Sequence, residues 1–174
     1  MNTKNLVTLS LFIGIGAVLH FVIPGFASGM KPDMMLLMMF LGILLFPETK
    51  SVLVLGITTG FISGLTSTFP GGFLPNMIDK PITAFLFYGL FLILKKIRFP
   101  LVYSTILTVI GTLTSGLIFL GSAYFIVGLP IAFSALFVAA VLPATLLNAG
   151  AMFILYPLIT NIYSRTTRNA QVTF

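Results

Sequence analysis

Six apolar segments, separated by five breaks rich in proline, glycine or charge, constrain this chain more than any other feature. They are Leu6–Ile23, Met34–Phe46, Val52–Thr68, Ile82–Leu94, Leu101–Val127 and Ile131–Ile162. The breaks read PGFASGMKPD, PETKS, PGGFLPNMIDKP, KKIRFP and GLP, a punctuation that ends helices. Only 7% of residues are charged, against about 25% in globular domains. So few charges cannot cover a water-facing surface. The expectation is an all-α integral membrane protein, with six transmembrane helices in one domain over residues 1–163 and a polar, frayed cytoplasmic tail over 164–174. A membrane helix needs about 20 residues, so the second and fourth segments are short. They must recruit flanking residues or sit in a thinned, protein-covered region. The sixth is long, and Pro143 is expected to kink it. The first segment has no small-residue cleavage site after it and reads as retained.

Six crossings place both termini and the second and fourth loops on one side. That side carries Lys4, Lys50, Lys95, Lys96, Arg98, Arg165 and Arg168, and the other only Lys31 and Lys80. The asymmetry makes the termini cytoplasmic in a multi-pass protein of the bacterial cell membrane. The net charge of +6 then records cytoplasmic loops, and no nucleic-acid partner is expected.

Chemistry concentrates on the external side. Asp33 and Asp79 each stand beside a Lys-Pro pair, in KPD (31–33) and DKP (79–81), and His20 lies near the external end of the first helix. Proline suits a first helical turn, and an acid there complements the helix dipole. One reading is therefore plain: two capping acids and two headgroup lysines. The other treats the groups as a constellation. An acid can hold an ammonium, and a lysine or a helix N-terminus a carboxylate, which together describe a receptor for a zwitterion. Glycine- and aromatic-rich loops containing Phe26, Phe73 and Asn76 would roof it.

In KPDMMLLMMF, Met34 and Met38 lie one helical turn apart. Methionine packs well against aromatic rings, so these two could floor a site for a flat apolar side chain; lipid contact or core packing is the simpler reading. Asn148 needs a hydrogen-bond partner at membrane depth, either another helix or a substrate. The hydroxyls of Thr58, Thr59, Ser63, Thr66, Ser67 and Thr68 are expected to bond back to their own helix or to join helices. Small residues share a face at Ser10, Gly14 and Ala17, and recur at Gly111 with Ser115 and Thr112 with Gly116. Such faces permit close helix packing within the bundle or onto a partner.

The chain has no cysteine and one histidine, which leaves no plausible zinc site or histidine-based triad. No metal or other cofactor is expected. No phosphate-binding loop motif occurs in the sequence, so ATP would have to be used by a partner. An enzyme acting on lipid lacks a pair of catalytic groups within one site.

The stretches IGAVLHFVIPGF, GMKPDMMLLMMFLGILLFP, NMIDKP and FLGSAYFIVGLP resemble the bacterial tryptophan transport protein family of Firmicutes, over about residues 4–163. That family in turn resembles the substrate-binding S components of energy-coupling-factor transporters. The resemblance implies a six-helix importer subunit in the lipid bilayer that captures L-tryptophan outside and is energised by a coupling membrane subunit with ATPases. It implies docking of that subunit on the first helix, at Ser10, Gly14 and Ala17, where S components often carry an alanine-xxx-alanine face. The substrate set is then Lys31, Asp33, Met34, Met38, Asn76, Asp79, Lys80, Asn148, His20, Phe26 and Phe73. The alternatives are a self-sufficient proton-coupled aromatic amino-acid transporter, a vitamin-type S component and a non-transporting membrane protein.

Overall fold

The computed structural model describes residues 3–22, 33–96 and 98–171, with side chains through residue 165. The elements are α1 (Thr3–Val22), α2 (Met34–Leu45), α3 (Thr49–Leu65), α4 (Phe73–Leu94), α5 (Pro100–Ile126), α6 (Phe133–Leu136), a π-helical turn (Phe137–Val141) and α7 (Leu142–Gln171). The last three run on as one helical stretch, and no strand occurs among the described residues. α1, α4, α5 and the stretch from Phe133 to Arg165 are each long and apolar enough to cross a membrane. Together with the lipid-suited exposure of Val7, Leu11, Phe21, Ile93 and Phe125, they make this an all-helical, multi-pass membrane protein.

α2 is the axis of the bundle. It packs against α1, α3, α4, α5 and α7, and every residue from Met34 to Ile43 is buried. Twelve residues of helix reach only about 18 Å. A helix clad in protein on all sides need not reach both membrane surfaces, which explains how so short a segment is stable here. Asp33 caps it, accepting a hydrogen bond from the Leu36 N–H at 3.0 Å. Phe40 of α2 stacks on Phe87 of α4 with ring centroids 4.0 Å apart. Gly111 of α5 closes over that stack, and a Cβ there would stand 2.7 Å from Phe40 Cζ.

Neighbouring helices alternate in direction. Gly56 of α3 faces Pro81 of α4, Gly60 faces Asn76 and Lys80, and Gly64 faces Phe73. Across α5, Ser115 meets Asp79, while Thr112 meets Asn148 of α7. The α3–α4 and α5–α6 connections therefore share one end of the bundle, the distal end. The α2–α3 and α4–α5 connections share the other, the proximal end.

Several expectations change. Asp79, Lys80 and Pro81 do not open a helix in an external loop: α4 begins at Phe73, so this triplet lies two turns inside it. The fourth segment reaches spanning length by making a helix of FLPNMIDKP. The irregularity expected at Pro143 is a π-helical turn just before it, in which the Leu142 N–H reaches back to the Phe137 carbonyl. The expected frayed tail is helical to Gln171.

Candidate functional site

The short length of α2 and the early start of α4 bring three charged groups together inside the bundle. Lys80 Nζ lies 3.2 Å from Asp33 Oδ2 and 2.7 Å from Asp79 Oδ2, and donates also to Ser115 Oγ at 3.2 Å. All three ammonium hydrogens are thereby engaged. Ser115 Oγ donates to Asp79 Oδ2 and Thr83 Oγ1 to Asp79 Oδ1, each at 2.7 Å. Asp79 is fully enclosed, whereas 28% of the Asp33 side chain remains accessible. Charges at such depth are stable only when paired and hydrogen-bonded. The two acids differ in standing: Asp79 is saturated by Lys80, Ser115 and Thr83, while Asp33 has a free aspect.

That aspect opens on a cavity of about 290 Å³, at the lower edge of the roughly 300–1,000 Å³ of small-ligand pockets. Asp33 and Lys80 line its proximal end, with Ser115 and Thr112 of α5 and His20 of α1. Ser63, Asn76 and Gly116 line it further out, and Phe69, Phe119 and Leu136 line its distal part. Phe69 and Phe119 meet edge to face at 5.5 Å. The π-helical turn supplies Ala140 and Val141 to the wall. Val141 rests where a side chain at position 116 would stand, so Gly116 lets the turn approach α5. Such turns recur at functional sites. The charged groups thus share one end, and the rest of the wall is largely apolar and aromatic, with Ser63, Ser67, Thr68 and Asn76 among it.

Among the expected site residues, Asp33, Lys80, His20 and Asn76 line this cavity. Asn76 is buried, and its Nδ2 donates to the Gly72 carbonyl at 2.8 Å. Asp79 stands directly behind Lys80 and does not line the cavity. Asn148 joins helices: its Oδ1 accepts from the Asp33 N–H at 2.9 Å and its Nδ2 donates to Thr112 Oγ1 at 3.2 Å. Met34 and Met38 are buried core residues outside the cavity wall. Met38 packs on Gly16 of α1, where a Cβ would be 3.1 Å from the methionine's own Cβ. Phe73 packs edge to face on Phe61 at 5.9 Å, also outside the wall. Lys31 and Phe26 lie outside the described residues. On α1, Ser10 and Gly14 are exposed and Ala17 is half-buried.

Other residues escaped the reading of the sequence. Thr83 stands one helical turn from Asp79, a spacing visible in the sequence but read there as part of an apolar run. Gly56, Gly60 and Gly64 form a stripe of small residues at four-residue spacing, and hold α4 close enough for Lys80 to face inward. Phe69 lies in no quoted stretch and Phe119, which opens FLGSAYFIVGLP, was given no site role; only the packing of the α3–α4 connection on α5 brings them together.

A family model described as "Tryptophan transporter TrpP" matches residues 2–164. A Bacillus subtilis protein named "Probable tryptophan transport protein" is 57% identical over 167 residues, covering 96% of each chain. A Clostridium acetobutylicum protein of the same name is 43% identical over 152 residues, covering 86% of this chain and 87% of its own. A third, from Clostridium perfringens, is 34% identical over 175 residues, covering 95% and 96%. No solved structure matches the chain. A match along nearly the whole length, by a chain of long apolar helices around a recessed ion cluster, makes this protein a member of the tryptophan transporter family.

Proposed function

We propose that this protein binds L-tryptophan in the cavity from outside the cell and delivers it to the cytoplasm. One observation carries the reading: a carboxylate and an ammonium share the floor of a cavity whose remaining wall is largely apolar and aromatic. In this reading the substrate's ammonium takes Asp33 and its carboxylate takes the Lys80 hydrogen that Asp33 gives up. The Asp33–Lys80 contact is the longer of the two ion pairs and the more accessible one, so it is the one to exchange. Asp79 keeps Lys80 in place. The indole lies distally, among Phe69, Phe119 and Leu136. Six crossings with cytoplasmic termini fit the seven lysines and arginines of the proximal side and termini.

Asp33→Asn tests this. Loss of a charge-assisted contact costs roughly 1.5–3 kcal/mol, so tryptophan affinity is expected to fall about ten- to a hundredfold. The chain contains no tryptophan, so the fluorescence of bound substrate reads the titration without protein indole. Affinity equal to that of the unaltered protein would remove Asp33 from the site.

For energisation we propose a separate membrane subunit with ATPases, docked on α1. Ser10 and Gly14 are exposed, and a Cβ on Gly14 would meet nothing within 4 Å, so this part of the face is not consumed by packing inside the bundle. Gly14→Leu is expected to leave tryptophan affinity unchanged and to lower uptake several-fold in whole cells. A second reading, proton coupling without a partner, draws on the imbalance of two carboxylates against one ammonium, with His20 on the same cavity. Uptake untouched by Gly14→Leu and abolished by a protonophore would select it.

A further inference from the structure

Asn76 lines the cavity with only 6% of its surface accessible. Its Nδ2 donates to the Gly72 carbonyl at 2.8 Å. A carbonyl oxygen only accepts, so the amide cannot be turned round, and Oδ1 points away from Gly72. Among the described residues nothing donates to that oxygen, and it is not one of the sealed, partnerless side-chain atoms. It therefore meets the cavity as an acceptor of fixed orientation. The other polar groups of the wall are engaged, sealed or open to the outside. Ser63 Oγ is sealed from any ligand, as are Ser51 Oγ and Thr59 Oγ1 on the same helix. Thr112, Ser115 and His20 belong to the charged end, where Thr112 accepts from Asn148 and Ser115 bridges Lys80 and Asp79. Ser67 is half-buried, and its Oγ already accepts from the Phe69 N–H at 3.3 Å. Thr68 is exposed. The last two are hydroxyls, which rotate to donate or to accept and so do not favour a donor on the ligand.

The height of Asn76 on the wall suits a side chain. It stands one helical turn before Lys80 on α4, about 6 Å towards the distal end. Both residues lie against Gly60 of α3, where a Cβ would be 3.0 Å from the Asn76 backbone oxygen and 3.4 Å from Lys80 Cβ. An amino acid with its α-ammonium at Asp33 and its α-carboxylate at Lys80 would hold its side chain at the level of Asn76. Phe69, Phe119 and Leu136 form the wall beyond.

We infer that Asn76 Oδ1 accepts the hydrogen bond of the indole N–H and is the group by which this site distinguishes tryptophan from amino acids whose rings carry no donor. The inference rests on the reading that tryptophan occupies this cavity, and deepens it. An apolar pocket discriminates weakly among flat rings, whereas a site with a buried polar group rejects a ligand that leaves the group unpaired. Because Nδ2 is held by Gly72, the amide cannot offer its donor side to a different ring. Phenylalanine fills the same space and leaves Oδ1 unpaired.

The test compares tryptophan with its benzothiophene analogue, in which sulfur replaces the ring N–H with little change of shape. Affinities are read in detergent from the fluorescence of bound tryptophan and from its displacement by the analogue. The unaltered protein is expected to prefer tryptophan by about tenfold, the scale of one neutral hydrogen bond. Asn76→Leu, of similar size, is expected to abolish the preference by weakening tryptophan alone. Ser67→Ala and Thr68→Val are expected to retain it. Equal affinities in the unaltered protein, a comparison that needs no variant, would overturn the inference. So would a preference that persists in Asn76→Leu, or one that disappears in Ser67→Ala or Thr68→Val. Failure of the cavity reading looks different: the unaltered protein then binds neither ligand, or binds both without dependence on Asp33.

Discussion

Lys80→Met is expected to destabilise the protein by about 3–5 kcal/mol, the cost of removing one partner from a buried ion cluster, and to abolish tryptophan binding. The substitution keeps an unbranched chain of similar length and removes the ammonium with its three hydrogen-bond donors. Asp79 is then left fully enclosed with only the hydroxyls of Ser115 and Thr83 to satisfy it, and Asp33 lies nearby with no cation between the two acids. A second substitution separates the two losses. Replacing a whole buried ion pair by apolar groups is often neutral, so Lys80→Met with Asp79→Leu should recover most of the stability. Binding should not return, because the ammonium that meets the substrate carboxylate is still missing. Thermal unfolding in one detergent and titration with tryptophan read the two effects. Stability in Lys80→Met equal to that of the unaltered protein would mean that Asp79 carries no charge in the bundle.

Gly56→Leu is the second large effect expected. A Cβ at Gly56 would lie 2.9 Å from Pro81 Cα and 3.1 Å from Ala84 Cβ. The first of these atoms is backbone, so no rotamer change relieves the contact and α3 and α4 must separate. Overpacking typically costs about 1–3 kcal/mol and occasionally more. A leucine adds three further carbons beyond the Cβ, so about 3 kcal/mol or above is expected. Lys80 is adjacent to Pro81, so the displacement also draws it from Asp33, and tryptophan affinity should fall together with stability. Gly89→Leu is the control, because a Cβ there meets nothing within 4 Å. A Gly56→Leu protein as stable as that control would show that the stripe on α3 does not set the spacing of the two helices.

These two sites show where the sequence was legible. Each of the six apolar segments corresponds to a helical stretch among the described residues, because hydropathy and proline or glycine breaks are local properties. The buried Met-rich run became α2, capped by Asp33 as an acid before a helix predicts. The membership in a tryptophan transporter family was carried by contiguous blocks of sequence. Asp33, Lys80 and His20 were singled out as ionisable groups in an apolar chain, and Asn76 as part of a roofing loop; all four line one cavity.

The arrangement of those groups was not legible. The DKP triplet looks like a helix start, since proline favours a first turn. Within α4, however, Pro81 packs against Gly56 of a neighbouring helix, and membrane helices tolerate an interior proline when neighbours cover the freed backbone. That contact is made between residues 25 positions apart and has no local signature. The four-residue methionine spacing likewise fits a site floor and a core equally well; only the clothing of α2 by five other helical elements decides for the core. The sequence by itself determined which residues are apolar enough to be helical in a membrane and which few charges must find partners there. The tertiary structure decided which charge meets which, because burial and pairing depend on how close two backbones can come, and glycines on the opposing helix set that distance.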